Sequence, residues 1–336
     1  MCRSIEAPEP TGLSLRRPLT RRGFTCLALP ALALPWLPRA AMAAPVEPAA
    51  AEPLGMEEIA AGVFVHRGAI DLMRPDNAGA IANLGFIVGE EAAAVVDSGG
   101  SLNEGRRLLA AVKAATDRPV RYVVNTHMHP DHLFGNAAFA GEGITFVGHR
   151  NLAAALAARR ETYLASNLEA MGAALMEGTE LVPPTLAIAE TTKLDLGGRA
   201  IELRPWPTAH TNNDVTVADS ATGALFAGDL VFQEHCPTLD GSLKGWLAVL
   251  DELQALKPAT LVPGHGPTRL STPSAFADTR RYLEVLARDL RAAIADGVPM
   301  MQAASTAAAS EAGRWQLFEE YNPRNATAAF AELEWE

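Results

Sequence analysis

Cysteine is scarce in this chain, with three in 336 residues: Cys2, Cys26 and Cys236. The first two lie in an N-terminal stretch described below. Cys236 therefore stands alone in the body, and no disulfide framework can hold the fold. That thiol is either reactive or a small apolar side chain in a core. Cations are also in short supply, with 28 Lys and Arg against 39 Asp and Glu and a formal net charge of -11. A phosphate backbone needs clustered Lys and Arg, so nucleic acid is not an expected partner. Aromatics make up only 6%, too few for base-stacking platforms. No apolar run approaches the ~18 residues that would span a bilayer, so no stable membrane span is expected. What the chain does have is 49% hydrophobic residues, enough for a large core. Oligomeric state leaves no trace in the sequence.

The first 43 residues read as an address. Thr20-Arg21-Arg22-Gly23-Phe24 resembles the twin-arginine export motif. An apolar stretch follows from Cys26 to Leu37, broken by Pro30 and Pro35, and then a small-x-small site at Ala41-Met42-Ala43. Charge, apolar run and small-residue site in that order predict a secretory signal over 1–43, cleaved near Ala43, and a periplasmic protein. Residues 44–56, rich in Ala, Pro and Glu, read as a flexible spacer.

Beyond the spacer, short apolar runs predict strands at 62–66, 83–88, 93–97, 121–125, 145–148, 200–205, 215–219, 224–227 and 260–263. Amphipathic helical patterns fall at 103–116, 151–175, 243–256 and 273–295, and residues 267–336 are almost wholly helical in pattern. Strands mixed with helices predict an α/β layered architecture.

The run Asn125-Thr126-His127-Met128-His129-Pro130-Asp131-His132 follows one of these strands. In extended chain, positions two apart point to one side, so His127 and His129 can address one metal together. The chain turns at Pro130, and Asp131 and His132 can face a neighbouring position. Imidazole and carboxylate suit zinc, and also iron or manganese. Burying four such side chains without partners would cost several kcal/mol. Three more candidates sit at strand-to-loop junctions: His210 after Pro207-Thr208-Ala209, Asp229 at the end of the run from Ala224 to Gly228, and His265 between two glycines.

In that order, His-x-His-x-Asp-His followed by His210, Asp229 and His265 resembles the metallo-β-lactamase superfamily, and in particular its glyoxalase II-like hydrolases. The resemblance covers about residues 55–270. It implies a four-layer αββα sandwich over 57–270, with 271–336 as a helical C-terminal extension. It also implies two metal ions, expected to be zinc, with iron or manganese as alternatives. Site one would comprise His127, His129 and His210, site two Asp131, His132 and His265, with Asp229 bridging both. Asp97 would support the ligand loop by hydrogen bonding without touching metal. The stretches Gly85–Gly89, Gly135–Phe139, His210–Asp214 and Leu239–Trp246 are similar to periplasmic zinc metallohydrolases associated with quinoprotein relay systems, which makes a quinoprotein an expected partner.

Two divalent ions set against two carboxylates and one hydroxide leave a positive centre, which favours a small anionic substrate. The expected reaction is attack by metal-activated hydroxide on an ester, thioester or lactone carbonyl, with Asp131 orienting the nucleophile or taking its proton. His235 and Lys244 follow the Asp229 strand and are candidates for substrate contact; Lys244 either anchors a carboxylate or is a solvated lysine. The rival readings are a true β-lactamase, an iron-dependent sulfur dioxygenase and a non-enzymatic relay partner. β-Lactamases of this fold lack the bridging aspartate that Asp229 would supply. The segment after Asp229 departs from the usual glutathione-binding stretch, which puts glutathione thioesters in doubt.

Overall fold

The strands with apolar residues at every position need two covered faces, and the computed structural model provides them. It describes residues 51–336, which belong to one compact unit. The predicted signal and most of the spacer lie outside the described residues. One sheet has seven strands in sequence order: β1 (Glu57–Ala60), β2 (Val63–His66), β3 (Leu84–Val88), β4 (Ala93–Val96), β5 (Val120–Val124), β6 (Thr145–His149) and β7 (Leu186–Ile188). The second has five: β8 (Thr192–Asp195), β9 (Ala200–Pro205), β10 (Val215–Asp219), β11 (Ala224–Phe232) and β12 (Thr260–His265), in the order β12-β11-β10-β9-β8. The helices are α1 (Leu102–Ala115), α2 (Pro130–Leu133), α3 (Leu152–Met171), α4 (Ala173–Met176), α5 (Leu243–Ala255), α6 (Ala277–Ala295), α7 (Met300–Thr306) and α8 (Phe318–Leu333).

Successive side chains on a strand point to opposite faces. On β3, Ile87 joins Val63, Val96 and Val124 in a cluster shared with Leu203, Val217 and Phe226 of the second sheet. Leu84 and Phe86 point the other way, onto Leu108 and Val112 of α1. The second sheet turns Leu225 and Leu261 outward onto α5, α6 and α8, where Trp246, Tyr282 and Phe330 fill the layer. The architecture is the expected αββα sandwich with C-terminal helices.

Of the expected strands, 200–205 and 215–219 match to the residue. Three strands escaped the reading of the sequence: β1, β7 and β8. All three are sheet edges. An edge strand buries only alternate residues and carries charge outward, as Glu57, Glu58 and Lys193 do, so it lacks the apolar run of a central strand. The end of the expected flexible spacer is tied down: Leu54 is buried, its N–H donates to the Arg107 carbonyl at 3.2 Å, and the Gly55 carbonyl accepts from His66 Nδ1 at 2.8 Å.

Helix α1 starts at Ser101, whose hydroxyl accepts from Glu104 N–H at 3.2 Å. Glu104 folds back so that its Oε2 accepts from Gly100 N–H at 2.7 Å, while Oε1 is buried with no partner. Burial pushes this carboxyl up to about 8 from 4.5. The neutral acid therefore contributes stability that is complete below 4.5 and is lost as pH rises towards about 8. Glu104→Gln stays neutral throughout. In denaturant titrations of metal-free protein its stability relative to wild type should climb across that window, by up to about 1.4 kcal/mol per pH unit. A flat difference would show that Glu104 ionises normally.

Candidate metal centre

All the ligand candidates but Asp229 lie where strands of the two sheets run out. Asp97 follows β4, the segment 126–132 follows β5, His210 sits between β9 and β10, and His265 ends β12. Asp229 departs from expectation: β11 does not stop before it but runs on to Phe232, with a register shift at Gly228, whose φ is +52°. That irregularity turns the aspartate into the site. Gly264 of β12 leaves room for it, because a Cβ there would stand 1.8 Å from Asp229 Oδ1.

The structure gathers the seven side chains into two donor groups. One is His127, His129, His210 and Asp229; the other is Asp131, His132 and His265. His129 Nδ1 is 3.0 Å from both His127 Nε2 and His210 Nε2. Asp229 reaches both groups. Its Oδ2 lies 3.5 Å from His210 Nε2 and 3.5 Å from His265 Nε2, and its Oδ1 lies 3.2 Å from His132 Nε2. Asp131 Oδ2 is 3.3 Å from His265 Nε2. Donor atoms around a tetrahedral zinc with bonds of about 2.0–2.1 Å stand about 3.3 Å apart, close to the spacings found here.

The other ring nitrogen of every histidine is engaged. His132 Nδ1 donates to Asp97 Oδ2 at 2.8 Å, His210 Nδ1 to the Thr238 carbonyl at 2.6 Å, and His265 Nδ1 to the Ile81 carbonyl at 3.0 Å. His129 Nε2 donates to Asp240 Oδ2 at 3.3 Å. Thr126 Oγ1 donates to Asp97 Oδ2 at 2.7 Å and therefore accepts from His127 Nδ1 at 3.0 Å. In the neutral form that a metal requires, each imidazole thus spends its proton on the scaffold and turns a lone pair inward. Lone pairs cannot satisfy one another, and His132 Nε2 and Asp229 Oδ1 are buried without hydrogen-bond partners. These residues fit divalent metal ions: five nitrogens and two carboxylates, oriented from behind.

Charge is distributed unevenly across the centre. Burial would suppress the charge on His132, but Asp229, Asp131 and Asp97 outweigh it and hold the ring well above the ordinary histidine range. His265 likewise sits at about 9. Burial instead drives His127 well below its usual value, with His132 adding to the effect, and takes His210 to about 3. Burial opposes ionisation of Asp131 and Asp229 too, yet the surrounding imidazoles keep both below the carboxylate range.

Of the secondary candidates, Asp97 stands behind the ligand loop, where it also accepts from Thr126 N–H at 2.8 Å. His235 is buried against His265, with ring centroids 4.7 Å apart, and borders a cavity of about 400 Å³ that opens on the centre. For Lys244 the solvated alternative holds and the carboxylate anchor does not: it is absent from the cavity lining, and its half-exposed side chain pairs through Nζ with Glu336 at 3.4 Å. The cation that borders the cavity is Arg324 on α8. Asp240, which carries His129, was also missed. Its place in the stretch Leu239–Trp246 was visible, but its partner lies 111 residues away.

The profile of the metallo-beta-lactamase superfamily matches residues 78–265. Among curated proteins, the linear primary-alkylsulfatase of Pseudomonas sp. (strain ATCC 19151) is 27% identical over 227 residues, 54% of this chain; the chain spans only 40% of that relative's length. Among solved structures, a metallo-beta-lactamase from Pontibacter korlensis superposes with a TM-score of 0.55 at 24% identity, covering 69% of this chain and 99% of that one. One from Erythrobacter litoralis gives 0.52 at 23%, covering 68% and 95%. At such identity these structures speak for the fold. Together with the matched profile over more than half its length, they establish that the chain belongs to the metallo-beta-lactamase superfamily.

Proposed function

We infer that the protein is a zinc hydrolase with two metal ions, in which water attacks the carbonyl carbon of an ester, thioester or lactone in a small anionic substrate and the acyl C–O or C–S bond breaks. The observation that supports this reading is the sharing of Asp229 between two donor groups. Iron and manganese suit the same donors. When bound, such ions supply Lewis acidity and make water acidic enough to yield hydroxide near neutral pH. Everything else falls to the chain. Asp229 sets the spacing of the two groups, and its carboxylate stays ionised. Asp131, held below the usual carboxylate range by its imidazole neighbours, is a poor base; its part is to orient the attacking water. Met73, Ile81 and Leu239 keep the approach to the centre partly dry.

The same reading places the protein in the periplasm, exported by the twin-arginine route with cleavage near Ala43 and acting beside a quinoprotein. Its support is the sequence of residues 20–43, outside the described residues. Within the described residues no helix is long and apolar enough to cross a membrane. A second reading keeps the centre and changes the bond: the alkylsulfatase relative favours a sulfate ester over a carbonyl.

Stripping the protein with a chelator and reloading it with zinc, iron or manganese tests both. Two zinc per chain should restore turnover on a panel of esters, thioesters and lactones, to at least a hundredfold over the stripped protein, an effect of the order expected from losing a metal Lewis acid. Preferential cleavage of alkyl sulfates would select the second reading. One iron per chain with oxygen uptake on persulfides, or β-lactam turnover to match true lactamases, would replace both.

A further inference from the structure

Helix α8 lies outside the profile-matched residues 78–265, yet it is stitched to the segment that leaves the metal centre. Gln316 N–H donates to the Glu234 carbonyl at 2.8 Å, and the Gln316 carbonyl accepts from Cys236 N–H at 3.0 Å. Asn325 Nδ2 donates to the Pro237 carbonyl at 2.6 Å, while its Oδ1 accepts from Leu239 N–H at 2.8 Å. Glu332 caps α5, accepting from Ser242 Oγ and Leu243 N–H, each at 2.7 Å. These bonds fix the face of α8 that carries Tyr321 and Arg324, three residues apart and therefore neighbours on one side. Both border the same cavity as His129, Asp131, Asp229 and His265.

Two features of this wall lack partners. Among the described residues, Arg324 is the only Lys or Arg lining the cavity and it enters no ion pair. Nearby cations are engaged elsewhere, Arg159 with Asp240 at 2.9 Å and Lys244 with Glu336 at 3.4 Å. His235 is 1% exposed. Its Nδ1 donates to the Cys236 carbonyl at 2.6 Å, so Nε2 carries a lone pair, and that buried atom has no hydrogen-bond partner. Its ring is held between His265 and Tyr321, with centroids 4.7 and 4.9 Å away. It belongs to neither donor group. A buried acceptor without a donor is costly, and it persists where a ligand supplies the donor.

The geometry points to a substrate subsite built by α8: Arg324 takes an oxyanion of the substrate remote from the cleaved bond, and His235 Nε2 accepts from a hydroxyl or amide N–H of the same molecule. The inference rests on the hydrolase reading and narrows it to anionic acyl compounds that also carry a hydrogen-bond donor. A guanidinium offers a planar fork that matches a carboxylate or sulfate edge, and Arg324 presents it exposed at the cavity wall.

The test pairs charged probes with neutral ones. Zinc-loaded wild type and Arg324→Ala are compared on 4-acetoxybenzoate and 4-acetoxybenzamide. Calorimetry with 4-hydroxybenzoate and 4-hydroxybenzamide reads binding without turnover. Arg324→Ala should weaken 4-hydroxybenzoate binding and raise KM for 4-acetoxybenzoate by about ten- to a hundredfold, with kcat nearly unchanged and the amides unaffected. Arg324→Lys should recover part of the loss. Equal losses on charged and neutral probes, or no preference of wild type for the charged one, would overturn the Arg324 assignment. Charge-dependent binding without cleavage of either ester would leave the subsite standing and sink the hydrolase reading instead. His235→Phe keeps the ring stack and removes the acceptor. It should raise KM for 4-nitrophenyl 3-hydroxybutyrate several-fold and not for 4-nitrophenyl butyrate, with two zinc retained. Loss of a zinc would make His235 a ligand and overturn its half of the subsite.

Discussion

Replacing Asp229 by alanine is expected to reduce the metal content from two per chain to one or fewer and to lower kcat/KM by at least about a thousandfold, beyond the 10- to 100-fold typical of outer partners. The reason is position. Asp229 is the carboxylate that lies within 3.5 Å of nitrogens in both donor groups. Alanine leaves His132 Nε2 and His265 Nε2 facing Asp131 alone. The metal-free protein should change too. Asp229 is the largest support for charge on His132 and His265 against the effect of burial. For His265 the folded value of about 9 exceeds the ordinary 6.5. The stability from that pairing is thus complete below 6.5 and is lost as pH rises through about 9. The deficit of Asp229→Ala against wild type should accordingly be largest at mildly acidic pH and fade in alkali. Metal analysis of the variant decides the matter: two ions per chain after dialysis would remove Asp229 from its bridging role, whatever the activity.

The sequence disclosed the parts of this centre that are local. His127 to His132 fall within six residues, and a strand end followed by Pro130 leaves few ways to arrange them. His210 and His265 were legible as strand-end residues bordered by turn formers. Asp229 was found for a partly wrong reason: it lies within β11, and the bulge at Gly228, not a strand end, delivers it. What the sequence concealed is non-local or carried by the backbone. The Thr238 and Ile81 carbonyls that fix His210 and His265 have no residue-type signal at all. Asp240 reads as an ordinary loop acid until α3 and the His129 loop meet it. Edge strands β1, β7 and β8 were lost because half-buried strands look like polar loops. Lys244 was named and Arg324 was not, because nearness in sequence to Asp229 was the only guide. The cavity wall comes instead from a helix some 90 residues further on, where Tyr321 and Arg324 differ in no way from an amphipathic surface pattern.

Asp97 offers the sharpest separation of chemistry from scaffold. Its φ is +58°, a left-handed conformation that Asn shares readily and Ala does not. Its carboxylate takes three bonds, from Thr126 N–H, Thr126 Oγ1 and His132 Nδ1. Asp97→Asn keeps size and backbone preference but puts an N–H₂ where one oxygen stood. With the amide oxygen on Thr126 N–H, the nitrogen faces His132 Nδ1 and the Thr126 hydroxyl as a donor. His132 must then carry its proton on Nε2, pointing at the metal, and Thr126 must turn its own proton towards His127 Nδ1, pushing that ring to the same wrong tautomer. One substitution therefore removes a lone pair from each donor group without touching either. The dissociation constants of both metals should rise by about 10- to 100-fold, and the metal-free protein should lose stability in a denaturant titration at neutral pH, because the Asp97 carboxylate helps hold the His132 ring protonated. Asp97→Ala should match the loss in metal affinity and add a stability cost of about 1–2 kcal/mol from alanine in the left-handed region. If Asp97→Asn binds both metals as wild type does, the tautomers are set by something other than Asp97, and the placement of the two inward lone pairs must be explained by the metals themselves.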